Sequence, residues 1–100
     1  MPNIQLNYLY RCGGNYKNFG EVIFANPDGL SLQQVEEAIK ATLIDHHWFY
    51  AHHWHLPSLH FPKWDPELDH LWHEYEGVEY TGLPATDARS ISQFMAAIKL

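Results

Sequence analysis

From Ile4 to Arg11 apolar and polar residues alternate through most of the run. Ile4, Leu6, Tyr8 and Tyr10 share one face, and Gln5 and Asn7 occupy the other, the period of a half-buried strand. Gly20 to Ala25 is a second, more apolar strand. The eight residues between, Cys12 to Phe19, are too many for a two-residue hairpin turn and rich in types that tolerate positive φ. Asn26-Pro27-Asp28-Gly29 closes the second strand as a β-turn. Ser31 and Gln34 then spell a capping box, with Leu30 and Val35 placed as a hydrophobic staple. Leu32, Val35, Ile39 and Leu43 line one helical face, so the spacing predicts a helix over 32–44.

The middle of the chain carries shorter signals. Trp48-Phe49-Tyr50 reads as a short strand and His53-Trp54-His55-Leu56 as another. Pro57, Pro62 and Pro66 break the following stretch into a loop or an extended excursion. His70 to Tyr80 reads as a long strand with an interruption at Gly77, the mark of a bulge. Thr81 to Ala85 is a turn. Thr86 or Asp87 caps a last helix in which Ile91, Phe94, Met95 and Ile98 recur at helical spacing. The pattern contains no internal repeat and no linker. The expected fold is therefore a single α+β domain, a small antiparallel sheet of three to four strands with helices packed on one face.

Charge narrows the function. Six Lys and Arg stand against twelve Asp and Glu, a formal charge of −6 that repels phosphate backbones and argues against duplex nucleic acid as a partner. No apolar run is long enough to cross a membrane, and the basic start of an export signal is missing, so a cytoplasmic location is expected. One cysteine, Cys12, excludes an internal disulfide and any multi-cysteine zinc site. All eight histidines lie between His46 and His73, a stretch that also holds all four tryptophans.

Three sites are candidates for chemistry. The first loop and its flanks offer Arg11, Asn15, Tyr16, Lys17 and Asn18 as side-chain donors, and Gly13-Gly14 would let backbone N–H groups converge as an anion nest. The alternative is a long hairpin loop whose glycines only satisfy backbone geometry; a Walker motif is excluded by the spacing. Cys12 as a nucleophile would need a base from more than thirty residues away, so no catalytic residue is assigned. His53-x-His55, with His70 and His73, offers imidazoles for zinc. The spacing is loose, and the same rings can simply stack on aromatics, so no cofactor is required. Trp48, Phe49, Tyr50, Trp54, Phe61, Trp64, Trp72 and Tyr75 exceed what so small a core can use. Some are expected to line a pocket or a subunit interface, which predicts a homo-oligomer.

The run Asn7-Tyr8-Leu9-Tyr10-Arg11-Cys12-Gly13-Gly14-Asn15-Tyr16-Lys17-Asn18-Phe19-Gly20, followed by Val22, Phe24 and Asn26-Pro27, resembles a family of short, functionally uncharacterised bacterial and phage proteins. The pattern Leu59-His60-Phe61, Trp64-Asp65, Leu68-Asp69-His70 and Trp72-His73-Glu74 is similar to that family's second half. The resemblance spans most of residues 3 to 80 and implies no activity. From the residues, the leading expectation is a non-enzymatic binding protein for a small anionic planar ligand, such as a nucleotide or nucleotide signal. Arg11 and Lys17 would hold the anion, Tyr16, Trp48, Trp54 and Trp72 the flat part, and His73 would add a donor. Two other classes stand beside it. One is an interaction or inhibitor module that offers an aromatic, acidic surface to a host protein. The other is a His-rich metal-binding protein.

Overall fold

The computed structural model describes residues 2–11, 16–59 and 72–99. Four strands, β1 (Asn3–Arg11), β2 (Lys17–Phe24), β3 (Trp48–Tyr50) and β4 (Trp72–Thr81), form one antiparallel sheet in the order β2-β1-β4-β3. Two helices, α1 (Leu32–Lys40) and α2 (Ile91–Ile98), complete an α+β fold with a small sheet. Central position explains β1: both of its faces are buried, including Gln5 and Leu9 on the side where the alternation predicts polar exposure.

Pairing of β1 with β2 runs without a break from Ile4↔Phe24 to Arg11↔Lys17. The second strand therefore starts three residues before the expected Gly20. Lys17, Asn18 and Phe19 are exposed at the sheet edge, so burial leaves no apolar period there to read. Gly77 marks a bulge, as expected. Asn7 opposes Gly77 while Tyr8 opposes Tyr75, which leaves Glu76 as the extra residue. Gly77 takes φ +143°, a region closed to side chains.

The buried cluster draws alternate residues from the sheet (Ile4, Leu6, Tyr8, Val22, Phe24 and Phe49) and joins them to Val35, Ile39, Ile91, Phe94 and Ile98 of the helices. Aromatic rings dominate its centre. Trp54 lies parallel on Phe49 at 4.1 Å and meets Phe94 edge-on at 5.7 Å, and Phe94 packs on Phe24 at 4.5 Å. Gly20 lies under Leu59, whose side-chain carbons sit 2.7 Å from where a Cβ would be. A larger residue at position 20 would make the Leu59 side chain shift.

Three local expectations are corrected. Helix α1 ends at Lys40 rather than 44, because Thr42 directs both its N–H and its hydroxyl at the Ile39 carbonyl, and Asp45 and His46 follow with positive φ. Residues 53–56 are not a strand. Ala51–Trp54 is a 3₁₀ turn and His55 a left-handed cap, a geometry that brings Ala51 and Trp54 to the same buried side. The last helix is capped by Ser90, whose capping box with Gln93 repeats that of Ser31 and Gln34. Thr86 and Asp87 do other work. The Thr86 hydroxyl accepts from the Ile23 N–H, and Asp87 pairs with Arg89.

Candidate functional site

Strand alternation sorts the expected site residues onto two sides. Arg11 and Lys17 are cross-strand partners, Leu9 opposes Glu74, and Glu74 in turn opposes Trp48. Trp72, two residues before Glu74, pairs with Tyr50. Arg11, Lys17, Trp48 and Trp72 thus share the sheet face that also carries Phe19, Glu21, Glu74 and Glu79. Asn18 and His73 belong to the opposite face with the buried cluster, and Trp54 joins it from the 3₁₀ turn. Asn15 and His70 lie outside the described residues, as do Cys12, Gly13, Gly14, Phe61 and Trp64.

On the first of these faces Arg11 is engaged. Its Nε and Nη2 donate to the two carboxylate oxygens of Glu74 at 3.2 and 3.1 Å, a bidentate pair. The Glu74 hydrogen bond holds the guanidinium pKa above its ordinary value. Trp48 and Trp72 flank this pair with ring centroids 6.3 Å apart. Trp72 is 39% exposed, Phe19 64% and Tyr16 73%, so flat apolar surface is presented beside the charges.

Toward the middle of the same face lies a polar network. The buried Gln5 amide donates to Asn7 Oδ1 at 2.8 Å, Glu79 Oε1 at 2.9 Å and Glu21 Oε2 at 3.1 Å. Asn7 Nδ2 also donates to Glu79, at 3.1 Å. One amide thereby holds two carboxylates from strands on either side of β1. Beside it, Asn7, Phe19, Glu21 and Glu76 line an open cleft of about 500 Å³. Among the described residues, four carboxylates, Glu21, Glu74, Glu76 and Glu79, stand against two cations, Arg11 and Lys17, on this side of the sheet.

The other expected site residues have structural surroundings. His73 is 2% exposed, and its Nε2 accepts the Leu59 N–H at 2.9 Å, which places the imidazole proton on Nδ1. Tyr8 and Tyr10 ring it, at 5.9 and 5.2 Å. The Tyr8 hydroxyl donates to the Pro57 carbonyl at 2.6 Å, and burial pushes its pKa up to about 12. Asn18 reaches the Leu59 carbonyl at 2.8 Å. His53 packs on Tyr50 and His52 in the 3₁₀ turn, so His53 and His55 do not form the strand-face pair that the metal reading assumed. Among the described residues no group of three or more His, Cys, Asp or Glu side chains is placed to hold a metal ion. No helix among them is long and apolar enough to cross a membrane.

Gln5, Phe19, Glu21, Glu76 and Glu79 are residues of this face that the sequence pattern did not single out as site residues, and Glu74, weighed as a metal ligand beside His73, is instead the partner of Arg11. The bulge at Gly77 was the available signal, since it fixes which residues of β4 share a side. Comparison with known proteins finds no matching family model, no similar curated protein and no similar solved structure. The functional reading rests on the geometry of this face.

Proposed function

We propose that this chain is a non-enzymatic interaction module that uses the Trp48–Trp72–Glu79 face of its sheet to bind a basic segment of a partner protein. In this reading both helices cover the opposite sheet face, which leaves the acidic, aromatic one as the presented surface. The observation that carries it is the bidentate closure of Arg11 by Glu74. The strongest anion receptor on the face is already satisfied, while Glu76 and Glu79 remain exposed further along the same strand as Trp72. Aromatic area supplies contact, and the acidic rim supplies steering toward Lys or Arg. The chain's overall charge of −6 favours the same partners.

A photo-crosslinking residue at Trp72, with a control at Gln33 on the exposed side of α1, tests this in cells. The expected result is a product from position 72 but not 33, whose crosslinked segment is rich in Lys and Arg and whose yield falls in Glu76→Gln/Glu79→Gln. Products of equal yield from both positions, or a yield indifferent to the two carboxylates, would refute the proposal.

The cross-strand pairing of Arg11 with Lys17 favours a second reading, a small planar anion held beside Trp72. Such a ligand must first displace Glu74. A nucleotide that raises the melting temperature of the wild type but not of Arg11→Gln would establish this reading in place of the first.

A further inference from the structure

We infer that the outer edge of β2 is a self-complementary docking strand, on which a second copy of this chain adds antiparallel to make a continuous eight-stranded sheet. The inference does not depend on which partner the sheet face takes. The Ile23 carbonyl accepts from the N–H groups of Thr86 and Asp87 at 2.9 and 3.1 Å, and its own N–H donates to the Thr86 hydroxyl at 2.9 Å. The Ala25 carbonyl accepts from Ile91 at 2.8 Å. Both residues therefore turn their backbone groups away from β1.

Antiparallel pairing alternates, so Lys17, Phe19 and Glu21 turn theirs the same way. Among the described residues, nothing bonds the backbone of these three on that side. At the opposite edge the short β3 is partly covered. Trp48 of β3 exchanges two backbone hydrogen bonds with Ile44, at 2.7 and 3.0 Å. An open edge presents unpaired N–H and C=O groups ready for another strand.

The side chains on this edge select a copy of themselves. Two β2 strands related by a two-fold axis at Phe19 would place Phe19 against Phe19 of the other copy, and each Lys17 against the other copy's Glu21. Opposite charges meet at both ends of an aromatic pair that is 64% exposed in the single chain. Shifting the register by two residues would break both ion pairs and separate the rings. The charges specify this register and no neighbouring one.

Sedimentation equilibrium at micromolar concentration, with circular dichroism to confirm folding, tests the assignment. The wild type is expected to sediment at twice the 11.7 kDa of one chain. Lys17→Glu opposes like charges at both ends and should weaken the dimer at least about tenfold. Lys17→Glu/Glu21→Lys exchanges the charges and should restore it. Phe19→Pro removes the outward N–H and the central ring but no bond to β1, and should abolish the dimer while leaving the chain folded. A wild type that stays at 11.7 kDa, or a dimer that none of these substitutions weakens, would overturn the inference.

Discussion

His73 shows how one side chain is assigned by its neighbours. In a cluster of histidines and tryptophans it reads equally well as a ligand donor, a metal ligand or a packed ring. Its burial among Tyr8, Tyr10 and Phe49, with Nε2 accepting from Leu59, makes it the acceptor that holds residues 57–59 across the sheet. His73→Leu keeps most of the apolar volume but leaves the Leu59 N–H without its acceptor, which should cost about 1–3 kcal/mol of stability in urea denaturation. An unchanged midpoint would show that this bond contributes nothing to the fold. Arg11 illustrates the opposite case. Its chemistry was legible as a bidentate anion receptor, but the anion is Glu74, 63 residues away along the chain. Nothing local in a sequence announces such a partner.

At the scale of elements, what could be read was whatever depends on neighbours in sequence. The capping box at Ser31, the strand at β1 and the Gly77 interruption all appear where expected. Long-range contacts decided the rest. The Trp54 ring stacks on Phe49, and that contact is met by a 3₁₀ turn where a strand was expected. The segment before α2 was expected to be a cap and is instead a clamp. Arg89 donates to Asp87 through Nε and Nη2, to the Trp54 carbonyl at 3.0 Å and to the His55 carbonyl at 3.1 Å, while its guanidinium lies 5.2 Å from the Phe94 ring centre.

Hydrogen bonds from Arg89 hold the Asp87 carboxyl below its ordinary pKa. A carboxylate depressed in the folded state binds fewer protons there than in the unfolded chain. Its contribution is therefore present above an unfolded pKa of about 3.9 and is lost as pH falls below that value through the folded one. Asp87→Asn should be destabilised at pH 7, and its deficit relative to the wild type should shrink as urea midpoints are followed from pH 6 to 3. A deficit that stays constant across that range would mean that the clamp does not depend on the Asp87 charge.

For the whole molecule, one strand decides which surface is available. With β1 central and buried on both sides, its alternate residues feed an aromatic core on one face and a Gln5-centred carboxylate network on the other. The acidic composition was visible from the start. That Glu21, Glu74, Glu76 and Glu79 share a face with Trp48 and Trp72 was not, because β1, β2 and β4 join distant parts of the chain. The most direct test is a chemical-shift titration of the folded protein with a short arginine- and leucine-rich peptide, and in parallel with ATP. The proposed role predicts that the peptide shifts signals of Trp48, Trp72, Glu76 and Glu79 but not those of Glu36 and Glu37 on α1, and that ATP shifts neither set. Peptide shifts centred on α1, or ATP shifts centred on Arg11 and Lys17, would contradict it.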